Sequence, residues 1–233
     1  MAVNKKPEII NIGEWVVRVK EAPKIPISKV MLLLHGHLGN ENVMWALTNP
    51  LPDSYTFIAP RAPLHMGEDQ YSWHEIQKRW PDLEIYRDFI QDFLNQVDNW
   101  LLERHINAPK LDIMGFSQGA VVAYAMALLF PERIGKIAAL AGFLPRNWKS
   151  QISPENMKAR KVYIAHGTKD NTIPIEKAHE AVAWLEMNGA DVTFCESDVD
   201  HKLSPNCYRG LGNFFKLNGS ASADDGNHSQ EQP

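Results

Sequence analysis

The chain has 233 residues, of which 44% are hydrophobic and 22% charged, and its formal net charge is −4. This length suits one large α/β domain with a sizeable core. A mildly acidic chain without basic runs lacks the positive surface that attracts nucleic acids or anionic membranes, so we expect neither as a partner.

The N-terminal segment MAVNKKPEIINIGEW carries two lysines but not the apolar region of a secretory signal. The longest apolar stretch, residues 120–130, is too short to span a bilayer. We therefore expect a cytoplasmic protein without stable membrane anchoring. In a reducing cytosol Cys195 and Cys207 would remain thiols, and their spacing does not suit a metal site.

Short apolar or β-branched runs then alternate with segments whose apolar residues recur at helical spacing. IINI and WVVRV predict a hairpin, and the later runs are VMLLLH, YTFIAP, KLDIMGF, IGKIAAL, KVYIAHG and DVTFCES. Several show no polar alternation, which is typical of parallel strands covered on both faces. Helices are predicted in residues 84–105, 118–130, 173–190 and 204–217, and the first has an apolar stripe of Ile85, Phe89, Phe93, Val97 and Leu101.

This alternation predicts an α/β fold: a mostly parallel sheet with an antiparallel N-terminal edge and helices on both faces. We expect residues 1–217 to form a single domain. Residues 218–233 are rich in small and polar residues and lack large apolar ones. Such a tail cannot offset its ordering entropy by burial, so it is expected to be disordered.

The segment LDIMGFSQGAVVA places Ser117 between Gly115 and Gly119, where an apolar strand meets a helix that is apolar nearly all round. G-x-S-x-G in this context is typical of a nucleophile elbow, a sharp turn that exposes a serine hydroxyl at the edge of the sheet. A Cβ atom at either glycine would collide with neighbouring backbone. The N–H of Gln118, which opens the helix, would face a developing oxyanion.

A serine hydroxyl needs a base before it can act as a nucleophile. In this kind of fold an acid and then a histidine follow the serine along the chain. Asp170 comes just after KVYIAHG and His201 comes just after DVTFCES, so both are expected at the carboxyl edge of the sheet. We predict Ser117 as nucleophile, His201 as base and Asp170 as the acid that fixes the histidine tautomer.

Neighbouring residues offer alternatives. Asp198 and Asp200 flank His201 and could replace Asp170 as the acid, although a loop neighbour seldom reaches the far ring nitrogen. His166 is interpreted as a histidine that is hydrogen-bonded at a strand end.

The loop HGHLGNEN, which follows VMLLL, is expected to supply the second oxyanion N–H, from His37 or Leu38. His35 and His37 form an H-x-H pair that invites a zinc interpretation, but no third ligand stands at a spacing typical of zinc sites. We therefore predict no metal and no cofactor, with His35 supporting the loop by hydrogen bonds.

Together these motifs resemble the phospholipase/carboxylesterase group of the α/β-hydrolase superfamily, which includes acyl-protein thioesterases and small bacterial carboxylesterases. The matching segments are LLLHGHLGNEN, APRAP, YSWHEI, GFSQGAVVA, LAGFLP, HGTKDNTIP and DHKLSP, within residues 30–217. The resemblance implies the α/β-hydrolase fold, and residues 140–162, where many relatives carry a lid, predict little or no lid here. The resemblance also implies that Ser117, Asp170 and His201 are catalytic and that Gln118 and His37 donate to the oxyanion.

Two further residues acquire an interpretation from the resemblance. Trp73 matches an aromatic residue that lines the acyl pocket of the family. Asp200 stands where the family usually has glycine before the catalytic histidine, which adds a negative charge there.

The predicted function is hydrolysis of carboxylic esters or thioesters of short to medium acyl chains through an acyl-enzyme on Ser117. The preference for shorter chains rests on residues 140–162, where no large helical insertion provides a lid. The substrate would be a small-molecule acyl ester or thioester. A peptidase or amidase on the same fold and a non-catalytic binding module remain alternatives.

Overall fold

The computed structural model describes residues 6–22, 29–77, 80–151 and 154–216. Within these ranges a central sheet contains eight strands, and two further strands form a separate hairpin. The sheet strands are β1 Glu8–Ile12, β2 Trp15–Lys20, β3 Lys29–Leu34, β4 Tyr55–Pro60, β7 Leu111–Phe116, β8 Ile134–Leu140, β9 Lys161–Gly167 and β10 Asp191–Ser197. The hairpin strands are β5 Leu64–Gly67 and β6 Gln70–Ser72.

The strand order in the central sheet is β1-β2-β4-β3-β7-β8-β9-β10. β2 pairs antiparallel with both β1 and β4, and every other pair is parallel. The predicted N-terminal hairpin and mostly parallel sheet are thus confirmed. Because β7, β9 and β10 run in the same direction, the loops that follow them meet at one edge of the sheet.

Four α-helices cover the sheet within the described ranges: α1 Arg87–Glu103, α2 Gln118–Leu129, α3 Glu176–Met187 and α4 Pro205–Lys216. Side chains of α1, α2 and α3 belong to one buried cluster, together with Leu32 and Leu34 of β3. Side chains of α4 belong to a second cluster, together with Met31 and Leu33. The alternating β3 residues thus contribute to different cores, which explains a run of apolar residues without polar alternation.

The predicted stripe on the first helix is correct in part. Phe93, Val97 and Leu101 are buried, but Ile85 is 63% exposed. Residues Leu83–Tyr86 form a 3₁₀ turn before α1, and the tighter turn changes which side chains face the core. Leu83 and Tyr86 are buried there instead.

The expectation of two free thiols is wrong. Cys195 in β10 and Cys207 in α4 form a disulfide, with Cα atoms 5.7 Å apart, a separation that suits such a bond. α4 packs against β10, which brings the two residues together. Reasoning from the redox state of a compartment carries no information about which cysteines a fold places side by side.

The predicted disordered tail, residues 218–233, lies outside the described residues. Among the residues that are described, none of the helices combines the length and the apolar character needed to cross a bilayer.

Candidate active site

Ser117 occupies the turn between β7 and α2 with an unusual backbone conformation. Its φ is 53° and its ψ is −117°, a region that residues with a Cβ rarely adopt. The N–H of Ser117 donates to the carbonyl of Leu140 at 2.8 Å, which anchors the turn to the neighbouring strand β8. The fold therefore holds a partly exposed serine in a strained conformation at the carboxyl edge of the sheet.

Two glycines make this turn sterically possible, as the motif predicts. A Cβ at Gly115 would lie 2.2 Å from the carbonyl oxygen of Gly119, and a Cβ at Gly119 would lie 2.2 Å from that of Leu34. These contacts are with backbone atoms, which cannot move aside as a flexible side chain can. The helix thus crosses β7 and β3 at a distance that only glycine allows.

His201 and Asp170 are brought together as predicted. The Nδ1 atom of His201 lies 2.7 Å from Oδ2 of Asp170. The imidazole ring also packs against Phe116, the residue before Ser117, with 5.0 Å between ring centroids. The loops after β7, β9 and β10 therefore place the three side chains at one edge of the sheet.

Asp170 is held as a carboxylate by its surroundings. Burial alone would raise the pKa of Asp170, but hydrogen bonds from the N–H of Ile173, from His201 and from the N–H of Thr172 outweigh it and lower the pKa. Oδ1 accepts both backbone bonds, at 2.8 Å from Ile173 and 2.9 Å from Thr172. Oδ2 is thereby left to face the imidazole.

The alternative acids have other partners. Asp198 pairs with Lys169 at 2.8 Å, and both side chains are exposed. Oδ1 of Asp200 accepts the backbone N–H of His201 at 2.8 Å, so this side chain supports the loop rather than the ring. Of these three acids, Asp170 is the one whose carboxylate reaches Nδ1 of His201.

His166 lies beneath Asp170 at the end of β9. Its side chain is fully buried, and Nε2 lies 2.8 Å from the carbonyl oxygen of Ile173, to which it donates. This matches the interpretation of a strand-end histidine that is hydrogen-bonded. Nε2 is also 3.4 Å from Oδ2 of Asp170, so the ring adds to the wall around that carboxylate.

The loop after β3 passes directly beside Ser117. A Cβ at Gly36 would lie 3.3 Å from the Cβ of Ser117, so the peptide that joins Gly36 to His37 borders the elbow. Leu38 has a φ of 62° and is 43% exposed. Gln118 is the first residue of α2, where N–H groups lack acceptors within the helix. Of the two predicted loop donors, this placement favours His37.

His35 supports this loop through both ring nitrogens, as predicted. Nδ1 donates to the carbonyl of Gly36 at 2.7 Å, and Nε2 accepts the N–H of Ala62 at 3.0 Å. With both nitrogens engaged, His35 has no lone pair to offer a metal ion. Burial lowers the pKa of His35 to about 4, the hydrogen bond to Gly36 opposing the shift in part.

This buried histidine predicts a loss of stability in mild acid. Because the pKa of His35 in the folded protein lies below its value of 6.5 in the unfolded chain, the unfolded chain binds the proton more readily. We expect a destabilisation of about 3 kcal/mol that is absent above pH 6.5, grows as the pH falls and is complete below pH 4. Urea unfolding at a series of pH values measures it.

The control for this prediction is His35→Gln, which removes the titrating group. The difference in unfolding free energy between the two proteins should change with pH by the stated amount, since all other groups titrate in both. Parallel curves across pH 4 to 7 would contradict the assignment.

Trp73 lies behind the oxyanion loop and is almost fully buried. Its Nε1 donates to the carbonyl of His35 at 2.7 Å, and its backbone N–H donates to Oε1 of Gln118 at 3.0 Å. The ring borders a cavity of about 340 Å³ that also includes Tyr86 and Phe89. Trp73 therefore both supports the loop and lines a pocket, while its contact with substrate stays a prediction.

A groove of about 510 Å³ adjoins this region and was not foreseen. It is lined by His37, Pro63, Leu64, His65, Met66, Glu75 and Ile76. Most of these residues belong to the β5–β6 hairpin or to the segment after it. The hairpin residues are largely exposed and show no apolar alternation, so the sequence carries no strand pattern for them.

A partly buried ion pair fastens the oxyanion loop to the end of the neighbouring strand β4. The guanidinium of Arg61 binds both carboxylate oxygens of Glu41 at 2.8 Å. Although burial favours the neutral acid, the bonds from Arg61 lower the pKa of Glu41. This pair could not be recognised from the sequence, because Glu41 and Arg61 approach each other only in the folded chain.

Comparison with known proteins agrees with the family that the motifs indicate. The sequence profile of the phospholipase/carboxylesterase family matches residues 17–218. Acyl-protein thioesterase 1 of Kluyveromyces lactis is 27% identical over 210 residues, which cover 82% of this chain and 87% of that protein. Acyl-protein thioesterase 1 of Saccharomyces cerevisiae is 29% identical over 177 residues, covering 67% and 77%.

Among solved structures, the carboxylesterase of Bacillus cereus superposes with a TM-score of 0.76 at 18% identity, covering 87% of this chain and 94% of that one. At this identity the likeness establishes the fold, and the family profile spans most of the chain. The chain is an α/β-hydrolase that belongs to the phospholipase/carboxylesterase family.

Proposed function

We propose that the chain is a serine hydrolase that cleaves carboxylic esters or thioesters of short to medium acyl chains through an acyl-enzyme on Ser117. One observation carries this proposal: the strained elbow of Ser117 shares a sheet edge with the 2.7 Å pair of His201 and Asp170. The elbow holds Ser117 at the edge of the sheet, and the pair provides a base of fixed orientation.

In the proposed reaction, Oγ of Ser117 attacks the acyl carbon while Nε2 of His201 takes its proton. The carbonyl oxygen becomes an oxyanion, which accepts hydrogen bonds from the backbone N–H groups of His37 and Gln118. As the tetrahedral intermediate collapses, the protonated His201 gives its proton to the leaving alcohol or thiol. Asp170 holds Nδ1–H of His201 throughout and stabilises the imidazolium.

Deacylation repeats these steps with water as the nucleophile. His201 takes a proton from water, the hydroxide attacks the acyl carbon, and the carboxylic acid leaves as the proton returns to Oγ of Ser117. Hydrolysis of the acyl-enzyme involves no oxidation or reduction, so the scheme needs no cofactor.

The preference for short to medium chains rests on the shape of the site. Between β8 and β9 the described residues form two short 3₁₀ turns, Arg146–Trp148 and Pro154–Asn156, and no α-helix. The groove beside His37 is bordered by exposed Leu64, Met66 and Ile76. A groove that is open to solvent and only partly apolar covers a short acyl chain but leaves much of a long one in water.

A substrate panel with active-site labelling tests the proposed function. We expect a fluorophosphonate to modify Ser117, located by peptide mass spectrometry, and turnover to peak on short or medium chains in a ladder of acyl esters. Acyl-CoA, a lysophospholipid, an acylated peptide and an aryl amide in the same panel separate thioesterase, lipase-like and amidase activities.

Each outcome of this panel decides between the alternatives. Faster cleavage of the aryl amide than of any ester would favour the peptidase or amidase, and a Ser117 that resists labelling would favour a binding module. Peak turnover on the longest chain would refute the proposed chain-length preference alone.

A cytoplasmic location remains part of the proposal, and the disulfide places a condition on it. Because the cytosol keeps most protein thiols reduced, the disulfide between Cys195 and Cys207 would have to resist reduction in that compartment. The predicted extent of the domain, residues 1–217, and a small-molecule acyl ester or thioester as the substrate also stand as proposals.

A further inference from the structure

Ser72, at the end of β6, is a fully buried hydroxyl that the proposed reaction does not use. Its Oγ lies within hydrogen-bond distance of three other residues: 3.0 Å from Nδ1 of His37, 2.6 Å from the carbonyl oxygen of His74, and 3.0 Å from Nε2 of Gln118. Two of these three residues, His37 and Gln118, are the proposed oxyanion donors.

The hydrogens in this cluster can be assigned from its partners. The carbonyl oxygen of His74 and Oε1 of Gln118 can only accept, and they lie 2.6 Å and 3.1 Å from Oγ of Ser72. The shorter contact assigns the single proton of Ser72 to His74. The N–H of Trp73 donates to Oε1 of Gln118, which orients the amide so that Nε2 donates to Oγ of Ser72. One acceptor position then remains on Ser72, and Nδ1 of His37 fills it as a donor in the tautomer that carries the hydrogen on Nδ1.

We propose that Ser72 is a positioning residue that joins the two halves of the oxyanion hole, His37 in the loop after β3 and Gln118 at the start of α2. The proposal rests on the proposed function above. The two halves come from distant parts of the chain, and Ser72 accepts a hydrogen bond from a side chain of each. Both backbone N–H groups are thereby fixed relative to one another without Ser72 touching the substrate.

The local backbone gives this link its importance. Leu38, directly after His37, has a positive φ, which a residue with a Cβ adopts only when its surroundings hold it there. Donors in an oxyanion hole act within a narrow range of distance, and a small displacement reduces their stabilisation of the transition state steeply. His37 also lines the 510 Å³ groove, so the same bond fixes part of the groove wall.

Ser72→Ala in the full chain tests the proposal. We expect kcat on the best ester of the panel to fall 10- to 100-fold, with KM changed less than threefold. The affinity for a trifluoromethyl ketone, whose hemiketal oxyanion occupies the hole, should fall by a similar factor, while the affinity for the carboxylate product should not change. A loss of stability alone does not produce this split between oxyanion and ground-state ligands.

Thr56→Ala is the matched control. Thr56 is a buried hydroxyl at the opposite end of the sheet, where Oγ1 accepts the N–H of Ala22 at 3.0 Å. We expect that variant to keep wild-type kcat and ketone affinity. Thr56→Ala behaving like Ser72→Ala would show a general effect of deleting a buried hydroxyl and would overturn the proposal.

His37→Ala provides a second route, because it removes the ring but keeps the backbone N–H. It should lower kcat and ketone affinity without affecting product binding, and adding Ser72→Ala to it should cost less than Ser72→Ala costs the wild type. Full additivity, or wild-type kcat in either variant, would overturn the role of Ser72. If Ser72→Ala does not fold, His37→Ala alone decides, and wild-type kcat there would refute the link. Failure of wild-type protein to be labelled at Ser117 would instead refute the proposed function itself.

Discussion

Replacing Ser117 by alanine is expected to lower kcat by about 10⁶-fold, the order observed when a serine nucleophile is removed from a hydrolase with this kind of triad. The remaining site would still bind substrate, so KM should change little. A progress curve on the best ester of the panel, followed to long times at high enzyme concentration, measures the residual rate. A fall of less than about tenfold would exclude Ser117 as the nucleophile.

Ser117→Gly is the matched control for this prediction, because it removes the same hydroxyl but also the Cβ. Since the backbone of residue 117 has a φ of 53° and a ψ of −117°, glycine relieves strain that alanine keeps. We expect the glycine variant to be equally inactive but more stable than the alanine variant by about 1 kcal/mol. Equal stability of the two would mean that the elbow holds no strain.

Asp170→Asn is expected to lower kcat by about 10⁴-fold, the order known for the corresponding change in a serine protease. The asparagine oxygen can replace Oδ1 as acceptor for the N–H groups of Thr172 and Ile173, which leaves the NH₂ group facing Nδ1 of His201. The imidazole would then carry its hydrogen on Nε2, where it cannot accept the proton of Ser117. The fold should be preserved, since the backbone hydrogen bonds remain.

Asp198→Asn is the control for the acid, because Asp198 pairs with an exposed lysine beside the same loop. We expect its kcat to stay within about threefold of wild type, as is usual for an exposed ion pair that contributes little. Steady-state rates of both variants, measured at several pH values, make the comparison. An equal fall in the two variants would remove Asp170 from its proposed role.

The parts of the site that could be predicted from the sequence are those whose chemistry restricts the residue type locally. The Ser117 elbow is recognisable because its close crossing admits only glycine at positions 115 and 119. Asp170 and His201 are recognisable because each directly follows an apolar strand, and parallel strands end at a common edge. In these cases a short segment of sequence is enough to show why the residue must be of that type or lie at that edge of the sheet.

The remaining features depend on contacts between distant segments. A single serine in YSWHEI carries no sign that Ser72 will accept hydrogen bonds from both His37 and Gln118. Glu41 and Arg61 lie on segments that follow β3 and β4, and the pairing of these two strands brings them together. The exposed β5–β6 hairpin lacks an apolar pattern because it packs little of its surface into a core.

The disulfide between Cys195 and Cys207 closes a ring that contains the whole loop of His201, with 12 residues of separation along the chain. A covalent link that closes a loop of that length lowers the conformational entropy of the unfolded chain and thereby stabilises the fold by about 3 kcal/mol. It also limits how far the imidazole can travel from Asp170 when the loop fluctuates. Oxidised and reduced preparations of the same sequence should therefore differ in how far His201 can move from Asp170.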